Sequence, residues 1–304
     1  MGRGEALRVH AALLFVQLTF GAFHVVGKFV LASLSPLQLA SWRVLVAAPL
    51  LLVLARRVDR VTPPLQLMPA LALLGFFGVF ANQVLYVLGL RASGATNAAI
   101  LMLSIPVFVT LAGSLLGIER PTLRTSGGVA CAVVGALVVL NPGQLVLGGQ
   151  AAVGNALLLG NCLAYALYLV LQRPLLTRVP PLTLVAWSFL FGGVGVVAVS
   201  LPELAGLQLA AVPRSAWLGL AYVVAIPTVV NYALNSWAMQ RSSAGLVAAY
   251  TTLQPVVATV LAVLLLGERP GVAELAGFAL IAAGLSLVSR SNPKGSGRER
   301  KAVP

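Results

Sequence analysis

ATNAAILMLSIPVFVTLAGSLLGIERP, Ala95 to Pro121, occurs in the chain a second time in altered form. A shift of 149 positions lays AGLVAAYTTLQPVVATVLAVLLLGERP, Ala244 to Pro270, over it without a gap. Ala95 then falls on Ala244, Pro106 on Pro255, Thr110 on Thr259 and Glu119-Arg120-Pro121 on Glu268-Arg269-Pro270. Upstream the offset carries Asn82 onto Asn231 and Ser93 onto Ser242; downstream it carries Gly128 onto Gly277 and Gly135 onto Gly284. A duplication at constant offset sets the architecture before any single motif does.

Composition says what surrounds that architecture. Hydrophobic residues make up 59% of the 304 positions and charged residues 9%, with mean hydropathy +0.98. Soluble domains carry about a quarter charged residues, so the chain reads as a membrane protein. Ten apolar stretches approach the ~20 residues needed to cross hydrocarbon, at roughly 9–32, 37–55, 67–90, 95–117, 124–141, 151–172, 181–201, 215–239, 244–266 and 271–289. The first is too long for the apolar core of a signal peptide. Turn chemistry separates them: Ser35-Pro36, Pro63-Pro64, Asn141-Pro142-Gly143, Pro180-Pro181 and Pro213. Cys131 and Cys162 lie inside apolar runs and read as small core residues, not as a disulfide.

The net charge of +13 does not point to nucleic acid, because the basic residues are sorted by side. With a cytoplasmic N-terminus and ten crossings, fifteen of the 20 Lys and Arg residues face the cytoplasm. Arg91, Arg214 and Arg269 face the other side, and Lys28 and Arg43 lie within spans. That bias follows the positive-inside rule and places both termini inside. Ten spans split into two fives, and five is odd, so the second copy enters the membrane inverted. The expected fold is an all-α membrane protein of two inverted five-helix repeats, residues 1–144 and 145–290, with a disordered basic tail at 291–304.

Polar residues within spans are costly to leave unsatisfied, so their spacing is informative. Gln17, Gly21, His24 and Lys28 share one face of the first span. Asn161, Tyr165, Tyr168 and Gln172 repeat that spacing in the sixth. Asn82 and Tyr86, Asn231 and Asn235, Tyr250 and Gln254, and Asn97 with Ser104 extend the pattern to the third, eighth, ninth and fourth spans. Such stripes either bond helix to helix or line a wet cavity, and the interleaved aromatics favour the cavity. The expected substrate-binding set is His24, Asn82, Tyr86, Ser104, Asn161, Tyr165, Tyr168, Asn231, Asn235, Tyr250 and Gln254.

Pro106 and Pro255 each remove a helical hydrogen bond at matching places and are expected to kink their helices. They complete a gate and hinge set with Lys28 and Arg43. Lys28 can snorkel to the headgroups or hold a carboxylate. Arg43 can snorkel, or reach Glu203 or Glu268 at an outer gate. The paired glycines at 128/135 and 277/284 suit close helix packing within a monomer or a weak dimer. All seven acidic residues lie in loops, tails or helix ends, so proton coupling would rest on His24. No metal cluster, cofactor motif or nucleophile–base pair is evident.

These features resemble the EamA branch of the drug/metabolite transporter superfamily. The resemblance rests on the five-span duplication, Lys28, Ser35-Pro36 leading to Trp42-Arg43, Pro106 with Gly117-x-Glu119-Arg120, and Pro255 with Gly267-Glu268-Arg269. It covers about residues 8 to 289. One feature departs from symmetry: Ser188, not arginine, follows Trp187 in the second copy. The resemblance implies a secondary carrier that works without ATP, with a cavity lined by spans 1, 3, 4, 6, 8 and 9. The expectation is a plasma-membrane protein exporting or exchanging amino acids or similar amphipathic metabolites by alternating access, a drug-efflux carrier being the alternative. A lipid-linked-group enzyme would need carboxylates or a metal cluster at one membrane face. A scaffold would need the stripes packed dry.

Overall fold

A computed structural model describes residues 3–140, 143, 145–257, 260 and 272–290. Among these the chain is all helical. In order come α1 (Arg3–Leu31), α2 (Pro36–Val58), α3 (Leu65–Gly94), α4 (Asn97–Leu115), α5 (Leu123–Leu140), α6 (Gln150–Leu175), α7 (Pro181–Ala205), α8 (Arg214–Arg241), α9 (Ala244–Val257) and α10 (Val272–Arg290). Among the described residues eight helices are long and apolar enough to cross a membrane, while Ala244–Val257 and Leu275–Arg290 are shorter apolar helices. The residues where the ninth expected span ends and the tenth begins lie outside the described set, as does the tail from 291. The outside of the bundle is apolar: Phe29 is 72% exposed, Val194 67% and Leu218 64%. Such a surface belongs in lipid.

Local chemistry sets the helix ends. Ser35 Oγ accepts the N–H of Gln38 at 3.2 Å, and Gln38 Oε1 accepts the N–H of Ser35 at 2.9 Å. With Pro36 at the first helical position this starts α2 as a full capping box. Gly94, at φ 85° and ψ 170°, breaks the chain between α3 and α4. The equivalent break between α8 and α9 uses extended serines instead, and Ser243 Oγ caps Leu246 at 3.1 Å. Gly117, at φ 64°, closes α4: the N–H groups of Ile118 and Glu119 both return to Gly113 O at 3.0 Å.

Equivalent helices of the two repeats run antiparallel. At one end of the α2/α7 pair, Thr183 Oγ1 donates to Asp59 at 2.6 Å. Midway, Gly193 faces Val44. At the other end Glu203 meets Ser35 and Gln38. For α5 and α10, Gly128 abuts Gly284 and Gly135 abuts Gly277, so closely that an added Cβ would lie 2.5–2.8 Å from the opposing carbonyl oxygen. The repeats are therefore inverted with respect to each other. These glycines are taken up inside one chain, so they do not speak for a dimer. The Ser93 and Ser188 regions follow the same logic: where Gly154 meets Ser93 and Gly75 meets Ser188 and Gly192, small residues bring backbones into contact, as expected where lipid supplies no hydrophobic drive to associate.

Both repeats deviate from ideal helix at the same places. A π-helical turn covers Phe76–Ala81 in α3 and Val224–Val230 in α8. A 3-10 turn covers Met102–Ser104 just before Pro106, and Tyr250–Leu253 just before Pro255. The two prolines cannot donate a fourth-neighbour bond, and the preceding turn tightens.

Candidate functional site

The bundle has two ends that differ. At the first, Glu119 is the hub: Arg173 pairs with it, Ala244 N–H donates to it at 2.7 Å and Gly245 N–H at 3.3 Å. Nearby, Arg241 lies 3.7 Å from Glu5 and Gln240 donates to Leu176 O at 3.0 Å. This Glu119 end is tied shut across α1, α4, α6, α8 and α9. At the opposite end, Ser35 Oγ donates to the Glu203 carboxylate and Gln38 Nε2 to the Glu203 carbonyl at 2.8 Å. Asn97 Nδ2 bonds Asn155 Oδ1 and Val146 O at 2.8 and 2.7 Å, pinning the segment that leads into α6.

Between the ends lies a chamber of about 100 Å³ lined largely by polar residues. Gln17, Phe20 and Phe23 of α1 line it, with Arg43 of α2, Asn82 and Tyr86 of α3, Met102 and Ile105 of α4, Asn161 and Tyr165 of α6, Tyr232 and Asn235 of α8, and Val247, Thr251 and Gln254 of α9. Toward the Glu203 end it adjoins an apolar vestibule of about 320 Å³ lined by Leu31, Leu39, Leu90, Leu103 and Leu140 among others. Phe23, Arg43, Tyr86, Met102, Ile105, Thr251 and Gln254 line both. In the chamber wall, Gln254 Nε2 donates to Gln17 Oε1 at 3.1 Å. About two helical turns further toward the Glu119 end, His10 Nδ1 meets Tyr250 Oη at 2.6 Å.

Of the residues singled out from sequence, Asn82, Tyr86, Asn161, Tyr165, Asn235 and Gln254 line the chamber, and Pro255 lines the vestibule. Others lie elsewhere for identifiable reasons. Asn231 is fully buried between α8 and α1, accepting from Thr19 Oγ1 at 3.0 Å and donating to Val16 O at 3.4 Å. Tyr168 is 2% exposed, its ring seated in the notch left by Gly78 and its neighbours Tyr165 and Tyr232. Ser104 returns its hydroxyl to Leu101 O at 2.7 Å. Tyr250 turns to His10. Pro106 is buried in the first turn of the α-helical segment Ile105–Leu115 of α4. The side chains of His24 and Lys28 and all of Glu268 lie outside the described residues.

Arg43 neither snorkels nor reaches Glu203, which Ser35 and Gln38 occupy. Its Nε donates to Thr228 Oγ1 at 3.0 Å, and its guanidinium carbon stands 5.4 Å from the centre of the Phe23 ring. Pro227 explains this placement. Lacking an N–H, it cannot bond the carbonyl of Val223 four residues back. Thr228 Oγ1 donates to that carbonyl instead, at 2.8 Å, leaving the hydroxyl oxygen to accept from Arg43.

Gln17, Phe20, Phe23, Tyr232 and Thr251 join the lining beyond the expected set. Phe20 follows Gln17 by three positions and shares its face, so the stripe in α1 carried that signal. Tyr232 had none. It is equivalent to Gln83, which lines neither cavity, so the two π-turned helices present slightly different faces.

A family model described as the EamA-like transporter family matches residues 8–141 and again 152–290. The chain is 28% identical to Protein WALLS ARE THIN 1 of Arabidopsis thaliana, over 94% of this chain and 84% of that one. It is 32% identical to a probable terminal-alkyne amino-acid exporter of Streptantibioticus cattleyicolor, over 77% and 76%. A crystal structure with 18% identity superimposes with TM-score 0.76 over 94% of this chain and 96% of the other, which speaks for the fold alone. The two matched repeats and the membrane-length helices lead to one conclusion: the chain belongs to the EamA-like transporter family and is a multi-pass membrane transporter, not an enzyme.

Proposed function

We propose that this transporter moves small amphipathic metabolites, amino acids or close relatives of them, across the plasma membrane by alternating access, both termini facing the cytoplasm. The observation that carries the reading is the asymmetry of the two ends: a chamber joined to a vestibule at the Glu203 end, and a cluster of hydrogen bonds and ion pairs centred on Glu119 at the other. In a chain of inverted repeats, exchanging the conformations of the two halves turns one such state into its mirror. Amide and phenol groups offer bonds to a polar headgroup, and the phenylalanine rings offer apolar contact. The similarity to an amino-acid exporter supports the substrate class. Neither ATP nor a bound cofactor has a role in this scheme.

The test is counterflow with purified protein in liposomes preloaded with unlabelled amino acids, measuring uptake of labelled ones. Uptake above protein-free liposomes is expected for a subset with apolar side chains. No uptake of any amino acid or related metabolite would overturn the reading.

A further inference from the structure

Arg43 is the one Lys, Arg, Asp or Glu side chain that lines either chamber among the described residues. It also stands at their junction, lining both. Its repeat equivalent is Ser188, fully buried with its hydroxyl spent on Leu184 O at 2.9 Å, so among the described residues the lining carries one cation, without a symmetry mate. Thr228 takes its Nε and leaves the remaining guanidinium N–H groups with no hydrogen-bond partner among the described residues. The described carboxylates with assigned contacts, Glu5, Asp59, Glu119 and Glu203, are all held at the bundle ends.

A charge within a membrane needs a counter-charge or a dense set of hydrogen bonds, and guanidinium is shaped to receive a carboxylate through paired N–H groups. From the same walls an ammonium group would meet only neutral acceptors, with Arg43 repelling it. Asn235 Oδ1 is a buried acceptor without a partner there, but it offers a dipole and no charge.

We propose that the chamber selects organic monoanions, amphipathic carboxylates without an ammonium group, and that Arg43 receives the carboxylate at the junction while the apolar body lies against Phe23 or in the vestibule. This rests on the reading of the chamber as the substrate site, and it narrows the substrate class within it. Zwitterionic amino acids then rank below the corresponding deaminated acids.

Three ligands of one body separate the possibilities: 3-phenylpropionate, phenylalanine and phenethylamine, which carry the carboxylate, both groups and the amine respectively. Binding to the purified full chain is read by thermal shift and by tryptophan fluorescence, and transport by counterflow in liposomes. Phenylpropionate is expected to bind about tenfold more tightly than phenylalanine or better, a difference of about 1.4 kcal/mol, with phenethylamine showing no saturable binding. Arg43→Gln should abolish the preference for the acid, and Arg43→Lys should retain part of it. Phenylalanine binding as tightly as phenylpropionate, or an unchanged order in Arg43→Gln, overturns the proposal while leaving a transport site. If none of the three binds while other amino acids are transported, the proposal again fails alone. If nothing is transported, the site reading fails with it. Should Arg43→Gln not assemble, the three ligands on the unmodified protein decide.

Discussion

Glu119, just beyond the end of α4, accepts the backbone N–H of Ala244, the first residue of α9, at 2.7 Å. The exit of one repeat's fourth helix thus caps the entry of the other's. The second oxygen takes Gly245 at 3.3 Å, and Arg173 pairs with the same carboxylate. A carboxylate at a helix N-terminus is favoured by the helix dipole as well as by the bonds.

Glu119→Gln keeps the shape and one acceptor oxygen but removes the charge. A hydrogen bond to a charged group is worth about 1.5–3 kcal/mol against 0.5–1.5 for a neutral one. The closure should therefore lose about 1–2 kcal/mol, a roughly 5- to 30-fold shift toward opening. A cysteine at Thr251, in a protein lacking Cys131 and Cys162, should then react faster with an impermeant maleimide applied from the Glu119 side. Equal rates in the two proteins would show that this contact does not hold that end closed.

Gly78 and Tyr168 make a second close relationship. A Cβ at residue 78 would sit 2.3 Å from the tyrosine ring, so Gly78→Ala must displace the ring toward Tyr165 and the chamber. Overpacking of this kind costs about 1–3 kcal/mol. The expected result is a lower Tm in detergent, with Tyr168→Leu in the same chain restoring part of it. An unchanged Tm for Gly78→Ala alone would mean that the ring does not occupy the notch.

The fold was legible because its signals are periodic and repeated. The constant offset from Ala95 to Ala244, the Ser35-Pro36 cap and the glycines at 128, 135, 277 and 284 all reappear as helix starts or crossings. The candidate site was legible only to within a helix face. Asn82 and Asn231 occupy matching positions, yet one lines the chamber and the other bonds α1 to α8, because Thr19 and Val16 of α1 stand beside Asn231 and take its amide. Arg43 was harder still. Its direction depends on an orphaned carbonyl at Val223 created by Pro227, a contact about 185 residues away in sequence that helical spacing cannot express.

His10 and Tyr250 join α1 to α9 between the chamber and the Glu119 end, with Nδ1 and Oη 2.6 Å apart. The ring can accept from the phenol when neutral, but it has no acceptor to offer once protonated. Protonation therefore changes a contact that must be remade if α9 moves relative to α1. His10→Gln should flatten the dependence of flux on pH between 5.5 and 8, and Tyr250→Phe should do the same. Profiles that superimpose on the unsubstituted protein would leave the pair a purely structural contact, and His24→Gln, measured alongside, would show whether the other histidine carries the dependence.

The two equivalent asparagines provide the sharpest separation of a lining residue from a packing residue. Asn231 is fully buried and ties α8 to Thr19 Oγ1 and Val16 O of α1. Side-chain bonds between membrane helices contribute about 0.6–2 kcal/mol. Asn231→Ala should accordingly lower Tm while flux per folded molecule stays within about twofold. Asn82 keeps its side chain at the chamber wall, where its backbone carbonyl alone holds Asn161 Nδ2 at 2.6 Å. Removing that amide costs no helix-to-helix bond, so Asn82→Ala should leave Tm unchanged and reduce flux several-fold by removing a group from the polar wall. Matched Tm and counterflow measurements on both variants check this. The opposite pairing, with flux lost in Asn231→Ala and stability lost in Asn82→Ala, would reverse the assignment of the two faces.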